Sequence, residues 1–345
     1  MHDVLVDASP RWQHAEQTIQ AILERYAYQQ IRLPVVERTD LFERSIGESS
    51  DIVTKEMYTF TDRNGDRLTL RPEGTAGCVR AGLEHALFYD RVLRLWYIGP
   101  MFRRERPQKG RLRQFHQIGV EAFGLPGPDI DAEIIIMCTR IWAELGLEDI
   151  TLQINTLGTA ASRQRYRRIL TEYFSDHHAA LDEDSRQRLQ HNPLRILDSK
   201  NPSMRPLLES APVMDEYLDG ESNDHFFGLK TLLDAANINY EVNPRLVRGL
   251  DYYGKTVFEW ITDRLGTQGT ICAGGRYDGL VQHFGGKPVP AAGLALGLER
   301  VLDLMDTATP CGQALHAYFI VATDKARPVA YRLAEQIRDK LPDLR

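Results

Sequence analysis

The sequence predicts an α+β fold built from hairpin strands with helices between them and one inserted helical segment. The turn at residues 62–65, Asp-Arg-Asn-Gly between two short apolar runs, predicts a hairpin. Two longer strand-like stretches, 93–102 and 113–123, bracket a basic loop. From about residue 155 to 243 the sequence becomes polar and rich in Arg, Gln, Asp and Leu with a helical pattern, which predicts the insertion.

The composition is that of an ordinary globular protein, with 43% hydrophobic and 26% charged residues among 345. It excludes disordered, collagenous and coiled-coil chains, and the length favours about two domains. The net charge of −6 argues against a protein that coats nucleic acid through bulk charge. No apolar run approaches the roughly 20 residues of a membrane helix, no signal peptide is visible, and the four cysteines form no CxxC pair. We therefore expect a cytoplasmic protein without a membrane segment.

The first third of the chain predicts two helices and an edge strand before the basic loop. Ser9 as N-cap and Pro10 at the first helical position predict a helix start, followed by apolar residues at steps of three and four. The apolar stretch 31–36 contains Pro34, which cannot donate to a ladder, so we expect a strand at a sheet edge or a subunit interface. The turn 71–74 precedes a helix predicted over 75–88.

Strand patterns return after the helical segment. A single β-α unit then closes the sequence, and because one unit cannot bury both faces of its strand, it predicts the beginning of a further domain. The remaining predicted elements are a helix at 129–145, strands at 255–262, 270–273 and 291–297, a helix at 298–305, and the closing unit of a strand at 316–323 and a helix at 327–341.

The strand that follows the basic loop has two unlike faces, because side chains alternate across a strand. One face is predicted to be core and the other a ligand floor, in which a glycine opens space and Gln and Glu supply hydrogen bonds. A solvent-facing polar strand is the alternative, against which two aromatic residues count. The core face carries His116, Ile118, Val120 and Ala122, and the other carries Phe115, Gln117, Gly119, Glu121 and Phe123.

The basic loop is either a solvated hairpin tip or a phosphate site, for which arginine forks are well suited. Glu73 in the turn before a helix is, taken alone, a helix cap. The sequence has no P-loop, no GxGxxG, no HExxH and no Cys/His cluster with zinc spacing, so any nucleotide binds in another way and no side-chain metal site is predicted. The basic residues of the loop are Arg103, Arg104, Arg106, Lys109, Arg111 and Arg113, opposed by Glu105.

Several short motifs are distinctive: 40–48, 55–60 and 70–75, then 102–110 with 115–121, the segment 297–300, Leu-Val-Arg-Gly-Leu-Asp-Tyr-Tyr at 246–253 and Ala-Gly-Gly-Arg-Tyr-Asp-Gly at 273–279. The first three resemble class II aminoacyl-tRNA synthetases, 102–110 with 115–121 resembles motif 2 of that class, and 297–300 resembles motif 3. The segments 246–253 and 273–279 resemble those peculiar to the histidyl-tRNA synthetase family, of bacterial type, and the resemblance runs along the whole chain.

The resemblance implies a class II catalytic core, with an antiparallel sheet flanked by helices, in a homodimer. The implied domains are the first part of the core at 1–154, a helical insertion at 155–243, the second part of the core at 244–310, and the start of a truncated α/β anticodon-binding domain at 311–345.

The resemblance also implies a role for individual residues. For ATP, Arg103 holds the α-phosphate, Arg111 and Arg300 hold the outer phosphates, and Glu105 lies near the adenine. For histidine, Glu73, Gly74, Thr75 and Gln117 lie at the α-amino group, and Glu121, Tyr252 and Tyr253 line the imidazole pocket. Arg248 stands beside the α-phosphate and contacts the histidine site, and Gln108 and Lys109 are candidates for the tRNA acceptor stem.

The implied reaction has two steps. L-Histidine attacks the α-phosphorus of ATP to give histidyl-adenylate and pyrophosphate, with Mg²⁺ on the pyrophosphate side, and histidine then passes to the 3′ end of tRNA(His). A pocket that pairs both ring nitrogens rejects apolar analogues, so no editing domain is required. The sequence offers no evident protein general base for the transfer.

Two other functions share parts of this pattern. Synthetase-like regulatory subunits, such as the accessory subunit of ATP phosphoribosyltransferase, do not aminoacylate, and a histidine-binding sensor would need only the pocket. Arginines stand at all the expected phosphate positions, 103, 111, 248 and 300, which favours the ligase.

Overall fold

The computed structural model describes residues 2–47, 50–89, 91–105, 110–199, 201–250, 252–306, 316–342 and 344. The strands are β1 (Gln29–Gln30), β2 (Val36–Arg38), β3 (Tyr58–Thr61), β4 (Arg67–Leu70), β5 (Leu93–Phe102), β6 (Gln114–Phe123), β7 (Thr151–Thr156), β8 (Glu241–Val242), β9 (Gly254–Ile261), β10 (Thr270–Arg276) and β11 (Ala291–Gly297). The helices are α1 (Ser9–Arg25), α2 (Thr39–Ile46), α3 (Thr75–Glu84), α4 (Pro128–Glu144), α5 (Ala160–Asp176), α6 (Glu183–His191), α7 (Arg205–Glu209), α8 (Gly220–Ala235), α9 (Leu280–His283), α10 (Leu298–Leu304) and α11 (Arg327–Lys340).

A large sheet forms the centre of the fold, with the strand order β1-β5-β6-β11-β10-β9-β7-β8. Its interior pairs are antiparallel, and only the two-residue pairs at its edges, β1 with β5 and β7 with β8, are parallel. The longest pairing joins β5 to β6, from Leu93 opposite Phe123 to Phe102 opposite Gln114. The predicted α+β class with an antiparallel sheet is therefore confirmed.

A second, three-stranded sheet contains the predicted hairpin of β3 and β4, with β2 on the other side of β4. In the turn, the Asp62 carboxylate accepts hydrogen bonds from the backbone N–H groups of Asn64 at 2.8 Å and Asp66 at 2.9 Å. Gly65 has φ +90°, a conformation that a residue without Cβ adopts freely.

One face of the large sheet packs against α1, α4 and α8 to form the main core. Ile118, Val120 and Ala122 of β6 are buried there, as predicted for that strand face. His116, on the same face, differs because it lies at the end of the core: its ring meets Trp12 edge-on and its Nδ1 lies 3.0 Å from Glu299. The opposite sheet face carries a second core, which continues into the helical segment and leaves a cleft.

The helical segment begins after β7, and its helices are capped by side chains. Thr159, Asp182 and Asp219 accept hydrogen bonds from the backbone N–H groups of Ser162, Ser185 and Ser222 respectively. Such caps satisfy donors that a helix leaves free at its start, so this polar stretch forms helices despite few apolar residues. Buried aromatic residues such as Tyr166 and Phe174 fix it to the second core.

The predicted strand at 31–36 is wrong. The chain instead forms two short strands, β1 and β2, on either side, and both lie at sheet edges. Pro34 has no N–H, and the carbonyls of Leu33 and Pro34 accept hydrogen bonds from the Arg71 guanidinium rather than from a neighbouring strand.

Further differences concern the ends of two helices and the predicted closing strand. Ser9 is the first residue of α1 rather than its cap, and its hydroxyl donates to the Leu5 carbonyl at 3.0 Å. Helix α3 ends at Glu84, four residues before the predicted end, because the chain turns through Ala86 at φ +53°. Residues 316–323 form no strand, whereas α11 is as predicted.

Among the described residues, none of the helices has both the length and the apolar character that crossing a bilayer requires.

Candidate active site

The cleft lies over the β5–β6–β11–β10 region of the large sheet. Most of the residues singled out from the sequence line it. They are Glu73, Thr75, Arg103, Glu105, Arg111, Gln117, Arg248, Tyr252, Tyr253 and Arg300. Gly74 immediately precedes α3, and Glu121 is buried beneath the cleft wall. Gln108 and Lys109 lie outside the described residues.

The turn before α3 places a carboxylate at the cleft. Glu73 accepts hydrogen bonds from the backbone N–H groups of Thr75 at 2.6 Å and Ala76 at 3.1 Å, so it does cap the helix. Burial raises the pKa of Glu73, and these two backbone bonds oppose the rise. The same carboxylate therefore has both roles that the sequence left open: it caps α3 and it lines the cleft.

Glu121 lies at the centre of a buried hydroxyl cluster. Its Oε1 accepts hydrogen bonds from Thr75 Oγ1 at 2.7 Å and from the Tyr97 hydroxyl at 3.1 Å, and its Oε2 accepts one from the Tyr277 hydroxyl. Burial raises the pKa of Glu121 to about 8, although the three hydroxyl bonds favour the charged form. The site thus holds a carboxyl group that titrates close to neutral pH.

Tyr97 and Tyr277 are site residues that the sequence reasoning missed. A Cβ on Gly119 would lie 2.0 Å from the Tyr97 ring, and one on Gly74 would lie 2.3 Å from it. The expectation that Gly119 clears space for a ligand is therefore wrong, because the Tyr97 ring fills that space. The pairing of Tyr97 with Gly119 across β5 and β6 was the signal that could have revealed this.

Tyr252 and Tyr253 line one wall of the cleft, and the buried Tyr277 packs against both. The Tyr252 ring lies 4.7 Å from Tyr253 and 5.5 Å from Tyr277, between ring centres. Tyr253 meets Tyr277 edge-on at 6.2 Å. Phe123, assigned to the ligand floor, is instead buried between Phe88 and Tyr277 at the far end of β6.

Three arginines converge at the other end of the cleft. The Arg103 Nε donates to the Pro72 carbonyl at 2.9 Å, and its guanidinium lies over the Phe115 ring at 5.4 Å. Arg300 donates through Nε to the Gly110 carbonyl at 2.9 Å. Burial, and then repulsion from the nearby Arg111, lowers the pKa of Arg300. An anion bound here would relieve that repulsion.

The carboxylates at this end hold the site together. Glu105 Oε2 lies 2.9 Å from Arg111 Nε. Glu299, beside Arg300, accepts the backbone N–H of His116 through both oxygens at 2.9 Å, which ties α10 to β6. Within the described part of the chain, no cluster of three or more His, Cys, Asp or Glu side chains is arranged to hold a metal ion.

Besides Glu105 Oε2, which forms an ion pair with Arg111, two buried polar atoms at the cleft lack hydrogen-bond partners among the described residues. They are Gln117 Oε1 and Arg248 Nε. Another nitrogen of Arg248 donates to Glu259 on β9, and its guanidinium lies 5.9 Å from the centre of the Tyr253 ring. Because buried polar groups are normally hydrogen-bonded, Gln117 and Arg248 are placed to meet polar atoms of a ligand.

Comparison with known proteins gives consistent matches. The family model described as histidyl-tRNA synthetase matches residues 1–301. A histidine–tRNA ligase of Halorhodospira halophila is 59% identical over 345 residues, covering 99% of this chain and 81% of the relative. That of Alkalilimnicola ehrlichii is 58% identical, covering 99% and 80%.

Solved structures give the same fold. The apo histidyl-tRNA synthetase of S. aureus matches with a TM-score of 0.80 at 34% identity, covering 98% of this chain and 81% of that one. A Bacillus halodurans structure titled as an ATP phosphoribosyltransferase regulatory subunit/histidyl-tRNA synthetase matches with a TM-score of 0.69 at 22% identity, covering 99% and 89%, and so shows the fold alone. The chain belongs to the histidyl-tRNA synthetase family, whose members are ligases that join histidine to tRNA.

Proposed function

We propose that this cleft binds ATP and L-histidine side by side and forms histidyl-adenylate, from which histidine passes to tRNA(His). One observation carries the proposal: three converging arginines and a buried carboxyl–hydroxyl cluster share a single cleft over one sheet face. The arginine end of the cleft suits a polyphosphate, and the end with the carboxyl–hydroxyl cluster suits a small polar ring. Arg248 lines the same cleft.

Histidine occupies the tyrosine-walled end. Glu73 and Gln117 supply oxygens for its ammonium group, with Gly74 and Thr75 at the start of α3, and the unpartnered Gln117 Oε1 supports this placement. Glu121 and Tyr253, with Tyr252 beside them, present a carboxyl group and hydroxyls to the imidazole. Since imidazole has one donor and one acceptor nitrogen, an apolar side chain would leave these groups unpaired, and the site would reject it.

ATP occupies the arginine end. Arg103 holds the α-phosphate, Arg111 and Arg300 hold the outer phosphates, and Glu105 lies near the adenine. The histidine carboxylate attacks the α-phosphorus, and the bond to the pyrophosphate oxygen breaks. Arginines already fixed by Pro72, Gly110 and Phe115 meet the developing charge without having to reorganise.

Magnesium fits this end of the cleft in the manner usual for nucleotide sites, with one or two carboxylates and the phosphates as ligands. Glu299 is the carboxylate lining this end that is not assigned to the adenine, so it would hold the ion. When bound, Mg²⁺ neutralises charge on the phosphates.

The wider organisation is also a proposal. We assign the core to 1–154 and 244–310, a helical insertion to 155–243, and a separate C-terminal part to 311–345, in a cytoplasmic homodimer. Gln108 and Lys109 contact the tRNA acceptor stem through its phosphates.

The test is histidine-dependent exchange of pyrophosphate into ATP, run with histidine and with each other amino acid. We expect exchange with histidine alone, and its loss in Arg103→Ala. A synthetase-like regulator would give no exchange while remaining folded, and a histidine sensor would bind histidine without any exchange. Either result would overturn the proposal.

A further inference from the structure

The segment that carries Arg248, Tyr252 and Tyr253 has no regular structure of its own. Its described residues, 246–250 and 252–253, are neither helix nor strand. A segment of this kind keeps its shape only through contacts from elsewhere in the fold. One such contact comes from the central sheet, where Asn155 of β7 donates through Nδ2 to the Leu246 carbonyl at 2.9 Å.

Two further contacts come from the helical segment. Arg195, in the short 3₁₀ turn Pro193–Ile196, donates through its guanidinium to the Gly249 carbonyl at 3.1 Å. Arg163 of α5 donates to the Tyr253 carbonyl. Gly249 directly follows Arg248, so Arg195 is hydrogen-bonded to the backbone next to the Arg248 side chain.

Arg195 is itself held in place. Its second terminal nitrogen lies 3.5 Å from the carboxylate of Asp51, the residue just before the π-helical turn Ile52–Glu56. Arg188 of α6 reaches the same carboxylate at 3.7 Å and donates to the Arg195 carbonyl at 3.3 Å. The Arg195 side chain is 18% exposed. A planar arginine guanidinium that binds two acceptors fixes their relative position more closely than the flexible ammonium of a lysine would.

We propose that Arg195 is a positioning residue for Arg248: by holding Gly249 and Asp51 together, it fixes the backbone from which Arg248 reaches the reacting phosphate. This rests on the role of Arg248 under the proposed function. The Arg248 side chain is anchored at one end by Glu259. The next residue, Gly249, restricts the backbone conformation least of all residue types. The hydrogen bond from Arg195 therefore restrains a backbone that the sequence itself leaves free.

The test is pyrophosphate exchange measured as separate kcat and KM values. In Arg195→Ala we expect kcat to fall by about 10- to 100-fold, because small misplacements of reacting groups cost rates of that order. The KM for histidine should stay within about twofold, since Arg163 still holds Tyr253. Arg167→Ala is the matched control: its guanidinium also donates to a backbone carbonyl, that of His191, but within the helical segment, and it should keep the wild-type kcat.

A double variant separates positioning from general loss of structure. If Arg195 acts through Arg248, adding Arg195→Ala to Arg248→Ala lowers kcat no further. Wild-type kcat in Arg195→Ala, or a full multiplicative loss in the double variant, would overturn the inference. If Arg248→Ala itself keeps its kcat, the proposed role of Arg248 fails instead. Should Arg195→Ala not fold, Arg195→Lys decides: we expect an intermediate kcat, and a wild-type kcat would refute the positioning role.

Discussion

Glu121 shows how burial gives one residue an unusual chemistry. Three hydroxyls donate to it, yet it is 1% exposed and its pKa is raised to about 8. The three hydroxyl bonds favour the charged carboxylate, and desolvation, helped by the nearby Glu73, overrides them. The sequence placed Glu121 beside the site, but it could not predict the shift, because the burial that raises the pKa comes from residues distant in the sequence.

This shift predicts a pH dependence of stability. The folded pKa of Glu121 lies above the unfolded value of 4.5, so the folded state binds the extra proton between pH 4.5 and about 8. The stabilisation is complete below pH 4.5 and is lost as the pH rises towards 8, by up to a few kcal/mol. The melting temperature of the ligand-free protein should therefore fall more steeply with pH than that of Glu121→Gln. Parallel curves would rule out this titration.

At the scale of helices and strands, the periodicity of apolar residues and the turn residues predicted most of the elements. The β3–β4 hairpin, the β5–β6 pair, α4 and α10 follow the predicted pattern closely. Strand β7 was missed, although Leu152 and Ile154 alternate with polar residues, because the sequence beyond it reads as helical. The strand at 31–36 failed because long-range bonds from Arg71 replaced a ladder, which no local pattern encodes. Cleft residues that lie within one sequence motif could be predicted. The packing of the Tyr97 ring over Gly119 was missed because it depends on the pairing of two strands.

The interlock of β5 and β6 predicts a steric effect. In Gly119→Ala the new methyl would meet the Tyr97 ring at 2.0 Å, so either the strands or the ring must move. We expect a loss of about 1–3 kcal/mol in the free energy of unfolding, together with a raised KM for histidine. Chemical denaturation and pyrophosphate exchange measure the two effects. Gly220→Ala is the control, since a Cβ there would have no other heavy atom within 4 Å. Equal effects in both variants would contradict the packing argument.

A buried ionic network joins β10, α4 and α8. Arg276, 0% exposed, pairs with Asp131 at 2.9 Å, and His225 of α8 reaches the same carboxylate at 2.6 Å. Arg276→Met leaves Asp131 buried without its main cation, and we expect a loss of about 3–5 kcal/mol in unfolding free energy. Adding Asp131→Leu should recover much of that loss, because the buried Asp131 carboxylate is then removed as well. Additive losses measured by denaturation would show that the pair does not act as a unit.

For the whole molecule, the family and the exposed small sheet favour a dimer. Val35, Val36 and Phe60, near or on that sheet, are 37%, 40% and 46% exposed. An isologous contact would bury such a surface on both partners. Light scattering should give twice the chain mass of 39.3 kDa at micromolar concentration. A mass of one chain at every concentration would contradict the prediction.

Under the proposed function, one cleft joins histidine to the α-phosphate of ATP, and direct detection of the intermediate tests this. The enzyme is mixed with ATP, Mg²⁺ and histidine without tRNA, quenched, and analysed for histidyl-adenylate. We predict one adenylate and one pyrophosphate per active cleft in a single turnover, and none in Arg103→Ala. Pyrophosphate release that does not require histidine, or folded protein that forms no adenylate, would contradict the account.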